Sequence, residues 1–414
     1  GFDLTELVFT LDVPPGPGTL SFNYLFLSTE YPDFVQAGFN DTFVATLTDD
    51  TGTRTIASIE VDNAAFFPAS ADRAGGSGFD LYTDDPSGVD TEFGATGLPD
   101  AGLTSFLLAT ASFESSGEIS ITFYIQDFGD GILDSAVVLD NFSVSNIEVV
   151  DINRDLATGE DPGMVIGGEV TTDPILLAGD APARRGAAAD GITRLLVRTR
   201  TAGPGLVTFS LDGSIAPEDG GLHHPGGSQR QQSVTVPVDP ETGYAFALYQ
   251  TPDEFNRGSD SGAERPVSIK SRFVPDSGGA VVESSVIIKL VRPPLVLTHG
   301  LWSSPGTWTF PLATDNRFPV KIRTDYSSTN AAAFSTNSNK LPRAVQRAVA
   351  SYHLQEIAAT QVDALGHSMG GLLSRIYTNR SDYERDENFN RGDLRKLFTL
   401  DSPHTGSPLA DLLI

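Results

Sequence analysis

Apolar and polar residues alternate in short runs over most of the first 290 positions, and the pattern changes near Arg292. Over 1–150 the runs are Thr19–Leu27, Thr42–Leu47, Thr55–Val61, Thr104–Ala109, Ile119–Ile125, Ala136–Leu139 and Phe142–Val149. Period-two alternation sends one set of side chains to one face, so each run predicts a half-buried strand. Turn signals separate them: Pro-Pro-Gly-Pro-Gly at 14–18, Asp-Asp-Thr-Gly at 49–52 and Gly-Asp-Gly at 129–131. Strands with no helix between them predict a β-sandwich or jelly roll. The polar, Gly- and Asp-rich run 151–173 predicts a linker. Over 174–291 strands are predicted at Thr193–Thr199, Gly205–Leu211, Gln232–Pro237, Ala245–Tyr249, Val267–Phe273 and Val281–Leu290, a spacing that suits an immunoglobulin-like sandwich. The Ile215–Gln231 loop between them is glycine-rich; its adjacent His223 and His224 have no partner at metal-ligand spacing, which predicts an exposed loop.

From Arg292 the period switches. A strand at Pro294–Thr298, a helix over about Leu341–Ala358, a strand at Val362–Leu365, a helix at Gly370–Asn379 and a strand at Leu397–Leu400 follow in turn. The longer helix places Ala344, Val345, Ala348 and Val349 on one face, and leaves His353 structural or solvent-facing. Strand alternating with helix predicts a parallel sheet with helices against it.

Composition sharpens the division. The formal charge is −27, and residues 1–150 carry 24 Asp or Glu against two basic residues, Arg54 and Arg73. The excess therefore belongs to the first segment, which points to cation binding there and away from nucleic acid or anionic membrane as partner. Zero cysteines exclude disulfides and thiolate metal sites. No run of eighteen apolar residues occurs, so no transmembrane segment is predicted.

Two stretches carry candidate chemistry in the third segment. Gly366-His367-Ser368-Met369-Gly370 fits Gly-x-Ser-x-Gly, in which a cramped strand-to-helix turn presents the serine hydroxyl and the glycines avoid collision with neighbouring backbone. The pentapeptide alone is a weak signal, and a plain turn serine is the alternative; the strand before it and the helix after it favour a nucleophile. Pro294-Leu-Val-Leu-Thr-His299-Gly300-Leu301-Trp302 supplies a loop after an earlier strand. Acyl transfer needs two backbone N–H donors for the oxyanion, and the candidates are Leu301 and Met369. Trp302, Trp308, Phe310 and Leu312 follow this loop and read as core or as the lining of an acyl pocket.

Val-Leu-Thr-His-Gly-Leu, Leu-Gly-His-Ser-Met-Gly-Gly-Leu and Leu-Asp-Ser-Pro-His-Thr-Gly-Ser-Pro (400–408) resemble motifs of bacterial lipases and esterases of the α/β-hydrolase superfamily. The resemblance covers about 120 residues. It implies ester hydrolysis through an acyl-enzyme on Ser368, with no cofactor, and a chain order of Ser, then acid, then His. After Ser368 stand only His404, which the matching motif uses to shape a loop, and Asp401, a strand-end candidate for the acid. The expectation is that the triad histidine, and with it the acid, lies beyond Ile414, so that 1–414 is weakly active or inactive.

In the first segment Asp127, Asp130, Asp134 and Asp140 bring four carboxylates into fourteen residues, with Glu30 and Asp41 upstream. Calcium takes six to eight hard oxygens, but Asp and Asn also cap strand ends, and spacing alone leaves both readings open. Phe22–Val35, Asn40-Asp-Thr-Phe43 and Asp127–Asn141 resemble the choice-of-anchor type domain of bacterial secreted and surface proteins. That resemblance implies a β-sandwich in an extracellular setting and places a structural calcium at Glu30, Asp41 and the 127–140 loop.

The expected architecture is multidomain: a sandwich over 1–150, a linker over 151–173, a second sandwich over 174–291, and an incomplete α/β-hydrolase over 292–414. The expected function is a secreted or cell-surface bacterial serine esterase or lipase, acting on a lipid or other ester and held to a surface or matrix by its β modules. An alternative is a calcium-dependent adhesion protein with an inactive hydrolase-like domain; a further one keeps the serine chemistry but cleaves an amide, thioester or polyester.

Overall fold

A computed structural model describes residues 4–13, 16–28, 38, 40–61, 67–68, 102–104, 106–126, 135–212, 218–256, 262–309 and 315–407. Two units divide the chain, Gly1–Asn146 and Ile147–Ile414.

The first unit contains β1 (Leu4–Asp12), β2 (Gly16–Ser28), β3 (Thr42–Asp49), β4 (Gly52–Glu60), β5 (Phe67–Pro68), β6 (Gly102–Leu103), β7 (Leu107–Ser115), β8 (Glu118–Gln126) and β9 (Ser135–Ser145). One sheet runs β1-β8-β3-β4; the other is built on β2, which pairs with β6, β7 and β9. Alternate residues of β2, among them Leu20, Phe22, Tyr24 and Phe26, point the same way and are buried. They meet Phe43 and Phe123 in one apolar cluster, with the Phe22 ring edge-on to Phe123 at 5.1 Å between centroids. This is a β-sandwich packed by aromatic rings.

Where β3 turns into β4, Asp49 accepts hydrogen bonds from the Thr51 N–H and hydroxyl, the Glu114 N–H and the Arg54 guanidinium. Burial would raise its pKa, but these four donors outweigh it and hold the carboxyl at about 2. A folded pKa below the unfolded value gives stability that is full above about pH 4 and is lost as pH falls towards 2. Asp49→Asn should therefore cost about 1–3 kcal/mol at pH 7. Urea denaturation should show that difference shrinking towards pH 2.

The second unit opens with β10 (Ile147–Asp151), β11 (Val165–Ile166), β12 (Glu169–Val170), α1 (Pro174–Ala178), β13 (Gly186–Ala188) and β14 (Arg194–Arg200). It continues through β15 (Gly205–Asp212), β16 (Gly221–His223), β17 (Ser233–Pro237), β18 (Tyr244–Gln250), β19 (Glu264–Pro275) and β20 (Val282–Val291). Next come β21 (Leu295–Thr298), β22 (Lys321–Arg323), α2 (Phe334–Asn337), α3 (Lys340–His353), β23 (Ile357–Ala358), β24 (Val362–His367), α4 (Met369–Thr378) and β25 (Leu394–Leu400).

Sheets β10-β14-β18-β16 and β17-β15-β19-β20-β13-β23 enclose a core that includes Leu195, Val197, Phe209, Tyr249, Ile269 and Ile288. The third sheet, β22-β21-β24-β25, is parallel throughout. Helix α3 buries Leu341, Ala344, Val345, Ala348, Val349 and Tyr352 with Val296 and Val362 of that sheet.

Three expectations are corrected here. The longer helix ends at His353; after a turn with Glu356 in the left-handed region, Ile357–Ala358 joins the sandwich sheet, parallel to β13. The run expected as a linker is folded into this unit: Asp151, Ile152, Asn153, Asp155 and Met164 are buried. Arg184 ties Asp151 at 2.9 Å and Asp155 at 3.1 Å, and the buried His353 ring lies 3.2 Å from Asp155. The polar residues serve an internal ion network, since a buried charge requires partners. His223 is also buried, on a strand paired with β18, while His224 is exposed.

Candidate active site

In an open parallel sheet the crevice forms beyond the carboxyl ends of neighbouring strands whose connections leave in opposite directions. Here β21 leads outward to β22 on one side, and β24 leads outward to β25 on the other. The switch therefore falls between β21 and β24, which end in the His299-Gly300-Leu301 loop and in Gly366-His367-Ser368.

Strand β24 is buried from Val362 to Gly366, and α4 begins at Met369. Ser368, between them, has φ 53° and ψ −120°. That is a strained conformation for a residue with a side chain. Its N–H donates to the Leu400 carbonyl at 2.7 Å, fixing the turn against β25. The side chain is half-buried, and among the described residues its hydroxyl has no hydrogen-bond partner.

Close approach explains the glycines. A Cβ on Gly370 would stand 2.2 Å from the Thr298 carbonyl oxygen, and one on Gly300 would stand 2.9 Å from the Ser368 Cβ. On Gly366 it would meet the Gly371 nitrogen at 2.6 Å. The elbow and the β21 loop are pressed together, backbone to backbone.

His299 is fully buried and stacks on Tyr326, with ring centroids 3.9 Å apart. Burial pushes its pKa down, against the opposing effects of the Gly300 carbonyl and Asp325, so the imidazole is neutral at pH 7. Its Nδ1 lies 3.0 Å from the Gly300 carbonyl oxygen and donates to it. The Tyr326 hydroxyl, itself buried and with its pKa pushed up, donates to the His299 carbonyl. A trans peptide points its C=O and N–H in opposite directions. With the Gly300 carbonyl turned to His299, the Leu301 N–H faces away from that ring. Among the described residues neither the Leu301 nor the Met369 N–H meets an acceptor.

The remaining candidates are not drawn to Ser368. His367 is half-buried, with its Nδ1 enclosed and without a hydrogen-bond partner among the described residues. Asp401 is exposed, with φ 49°. His404 is exposed; its Nε2 lies 3.1 Å from the Thr399 hydroxyl and its Nδ1 3.4 Å from Arg375 of α4. Trp308 is core, beside Leu295, Leu297 and Leu365, whereas Trp302 is 64% exposed next to Leu301. Phe310 and Leu312 lie outside the described residues. Tyr326 carries no sequence signal: it stands 27 positions from His299 with no motif linking them.

Of the candidate calcium ligands, Glu30, Asp127, Asp130 and Asp134 lie outside the described residues. Asp41 is buried and accepts from the Ser135 hydroxyl at 2.7 Å; Asp140 is exposed on β9. Among the described residues no group of three His, Asp or Glu is placed to hold a metal.

Residues 3–145 match the Choice-of-anchor L domain, and residues 316–412 match the PGAP1-like alpha/beta domain. The first indicates surface attachment and a secreted or cell-surface protein; the second indicates a hydrolase-like α/β fold. The second match contains the elbow at 366–370, while the His299-Gly300 loop lies outside it. No curated protein matches the chain. Among solved structures, a candidate beta-galactosidase from Bacteroides fragilis is similar at 10% identity and a TM-score of 0.21, over 91% of this chain and 55% of that one. No helix among the described residues is long and apolar enough to cross a membrane.

Proposed function

We propose that the chain is a secreted or surface-held serine carboxylic-ester hydrolase, with Ser368 as nucleophile and the Leu301 and Met369 N–H groups as oxyanion donors. The observation that carries this reading is the backbone of Ser368, held at φ 53° between a buried strand and a helix and beside the Gly300 turn. Attack by the Ser368 oxygen on an ester carbonyl forms a tetrahedral oxyanion. The two free N–H groups and the amino end of α4 supply positive potential for it. Collapse expels the alcohol, which takes the serine proton, and water then releases the acid from the acyl-enzyme.

No described histidine or carboxylate bonds to the Ser368 hydroxyl, and Asp401 is retained only as a candidate acid. With no base placed on it among the described residues, Ser368 is expected to turn over slowly, because such a serine keeps only the contribution of the oxyanion hole and binding. Exposed Trp302 offers an apolar rim for an acyl group. Fluorophosphonate attack depends on the same activation, so a probe should label the wild type slowly and Ser368→Ala not at all; equal labelling of both after prolonged exposure would defeat the proposal.

For the first unit we propose surface or matrix attachment. A structural calcium at Glu30, Asp41 and the 127–140 loop rests on the sequence alone. Chelation should lower the melting temperature of the full chain by several degrees, and an unchanged value would remove calcium from the account.

A further inference from the structure

A cleft of about 570 Å³ lies at the other end of the second unit, assembled from segments far apart in sequence. Arg194 at the start of β14, Arg230 and Arg391 line it, with Glu169, Asp253 and Phe389. Arg391 comes shortly before β25, whose first residue pairs with Val362; Ser368 follows the pair His367–Leu400 at the far ends of the same strands. About 20 Å of strand separates the two places. The cleft is independent of the ester site.

Its charges are not balanced from within. Arg230 is used already: its fork holds Asp253 at 3.2 Å and it donates to the Gly191 carbonyl at 2.7 Å. Arg194 lies over the Phe389 ring at 4.3 Å from the centroid, and its Nε is enclosed with no hydrogen-bond partner among the described residues. Burial pushes the Arg194 pKa down; Glu169 opposes this, and the guanidiniums of Arg230 and Arg391 add to it. The guanidinium stays charged regardless, so what this half-buried side chain lacks is a partner for its enclosed Nε. The exposed Arg391 side chain makes no ion pair or hydrogen bond among the described residues. The segment presenting it is strained: Phe389 and Asn390 are successive non-glycine residues in the left-handed region, at φ 52° and 55°.

We propose that this cleft binds a phosphate or sulfate monoester of a sugar-sized, polyhydroxylated molecule. Guanidinium forks match tetrahedral oxyanions, and Arg194 and Arg391, the two arginines not held by Asp253, can meet separate oxygens of one such group. The volume falls in the range of about 300–1,000 Å³ typical of small-molecule sites, so it holds more than a bare ion. The lining is mostly charged and polar, with Phe389 and Ile192 as its large apolar side chains, which favours a hydroxylated body over an acyl chain.

Isothermal titration of the full chain with glucose 6-phosphate, glucose 6-sulfate, inorganic phosphate, glucose and acetate tests this. Saturable one-to-one binding of a monoester at least tenfold tighter than glucose or acetate is expected. Tighter binding of the ester than of inorganic phosphate identifies an organic ligand; the reverse overturns the sugar-sized body. Arg391→Ala, at an exposed position, should weaken binding at least tenfold, and Glu169→Gln, which removes a competing carboxylate, should tighten it several-fold. Absence of saturable heat with every oxyanion, or equal affinity in wild type and Arg391→Ala, overturns the site.

Discussion

Replacing Gly370 by alanine is expected to destabilise the second unit by about 3 kcal/mol or more, the upper range of overpacking. The added carbon would sit 2.2 Å from the Thr298 oxygen and 2.9 Å from the His299 oxygen. Both are backbone atoms at the end of β21, so no rotamer change relieves the contact; the strand end must move away from the elbow. That movement separates the Leu301 and Met369 N–H groups, and displacement of about 1 Å costs roughly a hundredfold in rate. Fluorophosphonate labelling should slow accordingly. Gly371→Ala provides the contrast. Its new carbon meets the Ser402 Oγ at 2.1 Å, the Ser402 Cβ at 2.8 Å and the Thr399 methyl at 2.9 Å; the Oγ and the methyl can rotate and only the Cβ cannot, so its cost should be smaller. Gly203→Ala, with nothing within 4 Å, should be nearly neutral. Equal stability of all three variants in urea would show that the elbow is not clamped as described.

The elbow was legible because its determinants are local. Strand, turn and helix occupy Val362–Thr378, and the glycine spacing belongs to that one stretch. The sandwich strands of 193–290 were legible for a similar reason, since period-two burial is written along each strand, as in β19 with its alternating pattern. What escaped depends on distant partners. The polar residues at 151–155 read as a solvated linker because Arg184 and His353, which enclose them, are remote in sequence. The two residues of β23 were absorbed into a helix because so short a strand has no periodicity; its place comes from pairing with β13, which draws the sandwich and the parallel sheet into one unit. Tyr326 and the three cleft arginines likewise acquire meaning only from what folding sets beside them.

Ser368→Gly is expected to raise stability while abolishing fluorophosphonate labelling. A serine at φ 53° and ψ −120° carries strain of about 1–3 kcal/mol. Glycine adopts such a conformation without that cost but gives back up to about 1 kcal/mol through the freedom it loses on folding. The net gain should be near 1 kcal/mol, read as a higher urea midpoint at unchanged slope. Ser368→Ala keeps the strain and should fall close to the wild-type midpoint, because the lost hydroxyl has no hydrogen-bond partner among the described residues. Both variants should lose labelling completely. A residue whose removal steadies the fold and ends the chemistry is under strain for function. A turn serine of no consequence would give the same rise in stability with labelling intact, and a Ser368→Gly variant less stable than wild type would mean that the backbone at 368 is not strained at all.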